Sequence, residues 1–107
     1  MVDINSLVKQ AREMQERVRL AQEELGKIDI EGISGGGLVK VTMSCLKIAR
    51  QTRIDISLLK PEEKEKLEDL LVAAFNNARE KAEEISTATM EEATGGLELP
   101  AGVDLPV

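Results

Sequence analysis

The first quarter of the chain has an apolar pattern typical of an amphipathic helix. Apolar side chains recur at alternating intervals of three and four residues, at Ile4, Leu7, Ala11, Met14, Val18, Ala21, Leu25 and Ile28. Because these intervals place the apolar residues in one narrow stripe, the pattern predicts a helix from about Asn5 to Leu25. Gly26 follows directly and predicts the C-terminal end of this helix.

The pattern then changes to an alternation of apolar and polar residues, which is typical of β-strands. The alternation predicts three strands, over residues 28–31, 38–45 and 48–56, with a glycine-rich interruption at residues 32–37. On the second strand Val39, Val41, Met43 and Cys45 share one face, and Lys40 lies on the other. Short connections between strands favour an antiparallel meander.

The last long segment returns to helical spacing. Proline is tolerated in the first helical turn, so Pro61 predicts where the second helix begins. Its apolar positions recur every three or four residues: Leu67, Leu70, Leu71, Ala74, Phe75, Ala78, Ala82 and Ile85. Gly95 and Gly96 predict its end, so we expect a single domain over residues 1–96 and an extended tail over residues 97–107.

These elements predict an α+β fold in which an N-terminal helix, a three-stranded antiparallel sheet and a long C-terminal helix follow one another. At ~1.5 Å per residue the second helix is about 45 Å long, which exceeds the dimensions of a small sheet. The overhang exposes apolar residues that a second copy would cover. We therefore expect a homodimer with helical arms.

The composition excludes several kinds of site. The chain has no His, one Cys and one Phe, which excludes a Cys/His zinc site, a disulfide, a His-dependent nucleophile and a row of base-stacking aromatic rings. The N-terminus lacks the basic and apolar regions of a signal peptide, and no stretch approaches the ~20 apolar residues of a membrane span. We expect a cytoplasmic protein.

Charge is distributed unevenly along the chain. Residues 1–27 have five basic and five acidic residues, residues 28–60 have five and three, and residues 61–107 have four and twelve. The net charge of −6 therefore arises in the last segment. The first 60 residues remain compatible with an anionic partner such as duplex DNA.

No catalytic or cofactor site is indicated. Gly32 and Gly37 have P-loop spacing, but Leu38 and Val39 follow where a P-loop has Lys and Ser or Thr. Cys45 lies on the apolar strand face, where a thiol behaves as a small hydrophobic group. The carboxylates follow solvent-facing helix positions and predict no acid–base pair. We expect no enzyme activity, cofactor, metal or small-molecule substrate.

The basic residues form two candidate patches for phosphate contact. The helix patch comprises Lys9, Arg12 and Arg19, and the strand patch comprises Lys40, Lys47, Arg50 and Arg53. The helix patch also fits an ordinary salt-bridged surface, because the pairs Lys9–Glu13, Arg12–Glu16, Glu13–Arg17 and Arg19–Glu23 have i,i+4 spacing. Charge alone does not choose between the two patches.

Several blocks in fixed order resemble the YbaB/EbfC family of bacterial nucleoid-associated proteins. The similar segments are KQAREMQ at residues 9–15, GGGLVKVT at residues 35–42, Ile54-Asp55, Ser57-Leu58-Leu59, LEDL at residues 67–70, AAFN at residues 73–76, and the Gly95-Gly96 and Leu99-Pro100 ending. The chain departs from the family pattern at Ser44-Cys45, where Asn-Gly is usual, and at Ile56, where proline is usual.

The resemblance implies a homodimer that binds duplex DNA in the nucleoid, with a role in nucleoid organisation, gene regulation or recombination and repair. It carries over no catalytic residue. Contact through backbone phosphates would be insensitive to sequence and steeply dependent on salt. The alternative is a protein-interaction module whose helical arms bind a protein partner without touching DNA.

Overall fold

The computed structural model describes residues 3–95, which form a helix, three strands and a second helix in that order. The elements are α1 (Ile4–Lys27), β1 (Asp29–Ser34), β2 (Val39–Ser44), β3 (Ala49–Ile54) and α2 (Lys64–Ala93), with 3-10 turns at Gly35–Gly37, Ile56–Leu58 and Pro61–Glu63. The strands form an antiparallel sheet in the order β1-β2-β3. The predicted α+β arrangement is confirmed, and the tail predicted over residues 97–107 lies outside the described residues.

The C-terminal end of α1 differs from the sequence prediction. Gly26 does not end the helix, which continues to Lys27 and stops where Ile28 adopts an extended backbone. The Gly26 carbonyl oxygen accepts a hydrogen bond from Arg50 Nη2 at 2.7 Å. Because the last four carbonyls of a helix have no partner within it, this contact from the sheet stabilises the helix end.

The glycine-rich interruption also begins later than predicted. Gly32 lies inside β1, is buried and faces α2. A Cβ atom on Gly32 would lie 2.2 Å from the Ala74 carbonyl oxygen and 2.6 Å from the Ala78 Cβ. Glycine at this position therefore lets the backbones of β1 and α2 approach closely, and Gly35–Gly37 form the turn that follows.

Two clusters of buried residues stabilise the molecule. The sheet cluster lies between one face of the sheet and the first half of α2 and contains Val39, Val41, Met43, Leu58, Ala74 and Ala78. The arm cluster lies between the second halves of α1 and α2 and contains Ala21, Leu25, Cys45 and Met90. One helix, α2, therefore contributes to both clusters.

The N-terminal half of α1 extends away from these clusters. Ala21 and Leu25 are buried, whereas Ile4 is 75% and Leu7 50% exposed on the same heptad stripe. The radius of gyration is 19.2 Å, compared with roughly 13 Å for a compact chain of similar length. The molecule is therefore elongated, with α1 and α2 forming an arm. No helix between residues 3 and 95 has the length and apolar character needed to cross a bilayer.

Candidate nucleic-acid interface

The sheet has one face covered by α2 and one open face. Side chains on β2 alternate between buried and half-buried positions, so Val39, Val41 and Met43 face α2 while Lys40 and Thr42 lie on the open face. Strand pairing places Arg53 directly opposite Lys40 and Gln51 directly opposite Thr42. The β2 and β3 part of the open face therefore consists of Lys40, Thr42, Gln51 and Arg53, and the exposed residues Ile33 and Glu31 of β1 lie opposite Lys40 and Thr42 on the same face.

Lys40 and Arg53 form a pair of like charges. Residues directly opposite each other in an antiparallel sheet have Cβ atoms about 5 Å apart, and like charges in such a pair destabilise the sheet. Within residues 3–95, neither side chain has a carboxylate oxygen within 4.0 Å. The positive charge at this end of the sheet is therefore not neutralised by an ion pair with a described residue.

Arg50 has a different environment from Lys40 and Arg53. The register between β2 and β3 skips Arg50, because Thr42 pairs with Gln51 and Met43 pairs with Ala49. Its guanidinium donates to Asp29 Oδ1 at 2.8 Å as well as to the Gly26 carbonyl. Arg50 therefore links β3 to the end of α1 and to β1.

Lys47 lies in the turn between β2 and β3, at the far end of the sheet from Lys40. It has a left-handed backbone with φ 66°. The Ser44 Oγ accepts hydrogen bonds from the backbone N–H groups of Leu46 and Ile48 at 3.2 and 3.3 Å. This local geometry explains how Ser44-Cys45 replaces the usual Asn-Gly, and it separates Lys47 from the Lys40–Arg53 pair by about four strand residues, or ~13 Å.

The three residues of the helix patch also differ in whether they form ion pairs. Arg19 is bound by both Glu16 and Glu23, and the Arg19 guanidinium holds the pKa of the Glu16 carboxyl below its usual value. Lys9 and Arg12 are exposed, and within residues 3–95 neither has a carboxylate oxygen within 4.0 Å. The described ion pairs include Arg19–Glu23 but not the other three i,i+4 pairs that the sequence suggested.

Thr42 and Gln51 extend the candidate site beyond the charged residues chosen from the sequence. Their side chains lie beside the Lys40–Arg53 pair and carry hydroxyl and amide donors, which are common phosphate-binding groups. The alternation of side chains along β2 and β3 is the signal that places them on this face. They are not among the candidates predicted from the sequence because those residues were chosen by charge alone.

Negative charge is concentrated on the outer surface of α2. An open concavity on this surface is lined by Glu80, Glu83, Glu84, Thr87, Ala88 and Glu91. These carboxylates repel phosphate, so the surface of α2 that carries them is a poor candidate for contact with DNA. The open face lies on the side of the sheet away from α2.

Cys45 has the environment that the sequence predicted. It is fully buried in the arm cluster, and burial raises the pKa of its thiol, with a smaller contribution from Asp29. A buried, protonated thiol is a poor nucleophile. Cys45 therefore acts as a packing residue.

Comparison with known proteins extends the resemblance seen in the sequence. Residues 1–97 match the model of the YbaB/EbfC DNA-binding family. A nucleoid-associated protein of Rhodopseudomonas palustris (strain TIE-1) is 49% identical over 105 residues, covering 98% of this chain and 99% of that protein. The crystal structure of an uncharacterized protein from Helicobacter pylori matches with a TM-score of 0.74 at 27% identity, covering 82% of this chain and 92% of that one. The chain belongs to the YbaB/EbfC DNA-binding family.

Proposed function

We propose that this protein is a nucleoid-associated protein that binds duplex DNA as a homodimer, mainly through backbone phosphates. The observation that carries the proposal is the match of residues 1–97 to a DNA-binding family. A relative named as nucleoid-associated, aligned over nearly the full length of both chains, supports the same assignment. The protein would act in the nucleoid, within the cytoplasm, in nucleoid organisation, gene regulation or recombination and repair.

The proposed DNA contacts are the basic residues of the helix and strand patches: Lys9, Arg12, Arg19, Lys40, Lys47, Arg50 and Arg53. Their environments rank them by how readily each would bind a phosphate. Arg19 and Arg50 already bind carboxylates, so a phosphate would have to compete with Glu16, Glu23 or Asp29. Lys9, Arg12, Lys40, Lys47 and Arg53 have no such ion pair within residues 3–95 and would bind phosphate without that competition.

The proposed homodimer is supported by apolar side chains that one protomer leaves exposed. Every residue of β3 up to Arg53 is exposed, because α2 packs on β1 and β2. Near the two ends of β3, Ile48 is 56%, Ile56 80% and Leu59 60% exposed. A second copy packed here would cover these apolar residues, and the dimer would present the basic residues that lie outside the contact twice.

The proposal is tested by fluorescence anisotropy of a labelled 30-base-pair duplex at several salt concentrations, together with sedimentation of the protein alone. We expect a dimer whose affinity falls steeply with salt and is similar for unrelated duplex sequences. Absence of binding at low salt would refute the DNA-binding proposal. A monomer that still binds would refute only the homodimer.

A protein-interaction module is the second candidate. The exposed apolar side chains of Ile4, Leu7 and Val8 on the projecting end of α1 favour it, since such stripes bind other helices. This alternative predicts no binding of the duplex at any salt concentration and specific capture of a protein partner that Leu7→Asp abolishes. Retained capture by Leu7→Asp would contradict it.

A further inference from the structure

We infer that the tail, residues 97–107, binds along the N-terminal half of α1 in the same chain and covers its apolar stripe. The stripe is the part of the α1 heptad that is exposed or half-buried at the projecting end of the helix: Ile4, Leu7, Ala11 and Met14. The tail follows α2 in the sequence and lies outside the described residues. This contact is separate from DNA binding, because it joins two segments of one chain.

The exposure of α1 increases toward its N-terminus. Val18 and Leu25 pack in the arm cluster against α2, and Met14, one turn before Val18, is half-buried. Leu7 is 50% exposed and Ile4 is 75% exposed. The apolar cover of α1 therefore decreases beyond the arm cluster, over a length of about 15 Å from Met14 to Ile4.

The chain leaves α2 on the side that faces α1. Ser86, Met90 and Thr94 lie at four-residue intervals and are each at most 7% exposed, so the buried face of α2 continues to the residue after the helix. The Thr94 Oγ1 donates a hydrogen bond to the Met90 carbonyl oxygen at 2.9 Å. Because α1 ends at the sheet and α2 runs from the sheet to the arm cluster, the two helices are antiparallel. A segment that continued in the direction of α2 would therefore run along α1 from Met14 toward Ile4.

The sequence of the tail alternates between apolar residues and residues of other kinds. Every odd position is apolar: Leu97, Leu99, Ala101, Val103, Leu105 and Val107. Pro100 and Pro106 disfavour a helix, and in an extended chain alternate side chains point to opposite sides. Such a segment has one apolar face, and about six extended residues are long enough to span the stripe.

The charges of the two segments are complementary. At 3.6 residues per turn, Arg12 and Arg17 lie on the two flanks of the stripe. Within residues 3–95, neither guanidinium has a carboxylate oxygen within 4.0 Å. The tail has two carboxylates, Glu98 and Asp104, and no basic residue. Both carboxylates occupy even positions, so they would lie beside the apolar contact and not within it.

A second copy of the chain fits the stripe less well than the tail does. The contact proposed for a second copy lies on β3, whereas α1 extends about 30 Å from its sheet end at Lys27 to Leu7. The tail begins at the correct end of the molecule and needs no association to reach the stripe.

The direct test is methyl NMR of the full chain. We expect NOEs between the methyl groups of Ile4 or Leu7 and those of the tail, and a mixed sample of labelled and unlabelled chains distinguishes contacts within a chain from contacts between chains. Absence of these NOEs would overturn the inference and leave the stripe to another protein. NOEs found only between chains would overturn it in favour of a second copy.

Two double variants of the tail provide the second test. L99D/V103D places two carboxylates on the apolar face, and G102D/P106D is the matched control that adds the same charge at even positions. We expect L99D/V103D to speed hydrogen exchange of the α1 amides of residues 8–14 on the order of tenfold, with unchanged exchange in the sheet. In G102D/P106D these amides should exchange as in the wild type. Equal effects of the two variants, or no effect of L99D/V103D, would overturn the inference and leave the proposed DNA binding intact.

Discussion

The close approach of α2 to β1 predicts a large effect of the substitution Gly32→Ala. The added Cβ would lie 2.2 Å from the Ala74 carbonyl oxygen and 2.6 Å from the Ala78 backbone nitrogen and Cβ. Ordinary contacts between nonbonded heavy atoms are roughly 3.5 Å, so α2 and β1 must separate by more than about 1 Å. No rotation of a side chain relieves the contact with Ala74, because its carbonyl oxygen belongs to the backbone.

The expected magnitude follows from the cost of overpacking. Adding a methyl group to a filled core costs about 1–3 kcal/mol, and a collision with backbone atoms lies at the upper end of that range. A loss of about 3 kcal/mol lowers the Tm of a domain of this size by roughly 12–24 °C. Such a loss is a large share of the roughly 5–15 kcal/mol that stabilises an ordinary domain.

Gly36→Ala is the matched control for this prediction. Gly36 has φ 66°, and a Cβ there would meet no atom within 4 Å. The substitution therefore introduces only left-handed backbone strain, which costs about 1 kcal/mol and lowers the Tm by about 5 °C.

Both variants are measured by thermal and urea unfolding with circular dichroism at one fixed protein concentration, since association raises the apparent stability. The reasoning is refuted if Gly32→Ala unfolds within about 1 kcal/mol of the wild type. It is also refuted if Gly36→Ala is the more destabilised of the two. Either result would mean that the β1–α2 distance is not what requires glycine at residue 32.

Three further predictions concern single side chains. The Asn77 Oδ1 accepts a hydrogen bond from the Ile33 N–H at 3.0 Å, so Asn77→Ala should cost about 0.5–1.5 kcal/mol and speed hydrogen exchange of the Ile33 amide measured by NMR; unchanged exchange would contradict it. Cys45, whose thiol pKa is raised by burial, should react with Ellman's reagent only when the arm cluster opens, and therefore far more slowly than in the urea-unfolded protein; equal rates would be inconsistent with this. Because the native state holds the thiol proton more tightly, the free energy of unfolding should fall as pH rises above the ordinary thiol pKa of about 8.5 toward the raised value. Arg19→Gln should raise the lowered pKa of Glu16 toward its ordinary value in an NMR titration, because the variant removes the guanidinium that binds the carboxylate. In the wild type the small stabilisation from this ion pair is present at neutral pH and is lost as pH falls through the lowered pKa. An unmoved pKa would assign the shift to another group.

Much of the fold follows from periodicity in the sequence. The three- and four-residue spacing of apolar residues predicted α1 and α2, and the alternation around Val41 predicted the strand at the centre of the sheet. These predictions depend only on local geometry, because a helix and a strand repeat their side-chain directions at fixed intervals. The glycine at residue 95, with φ 64°, follows α2 as expected.

The predictions that failed depended on contacts between distant segments. Gly32 lies within β1, where its backbone packs closely against α2. Gly26 lies within α1, where its carbonyl oxygen accepts a hydrogen bond from Arg50. Neither partner can be identified from the residues adjacent to the glycine. Local rules therefore assign both glycines to breaks in secondary structure, where glycine is most often found.

The candidate site was predictable where it depends on the local alternation of side chains along a strand. Alternation along β2 placed Lys40 on the polar face, and charge selected Arg53. The skipped register at Arg50 was not predictable from the sequence. The i,i+4 spacing identified Arg19–Glu23 but also three pairs that the described residues do not form, because each ion pair depends on a choice among several nearby partners. Among the seven candidate residues, five have no ion pair with a described carboxylate. They are Lys9 and Arg12 near the start of α1, Lys40 and Arg53 on the open face, and Lys47 in the turn between β2 and β3.

The contribution of α2 to two separate clusters has a consequence for how the molecule opens. The sheet cluster has six buried residues, from β2, the 3-10 turn at Ile56–Leu58 and α2, whereas the arm cluster has four. Regions with fewer buried contacts open at lower free energy than the rest of a fold. The end of α2 and its neighbour on α1 should therefore separate and re-form many times during the lifetime of an intact sheet, giving the arm a range of angles around a fixed base.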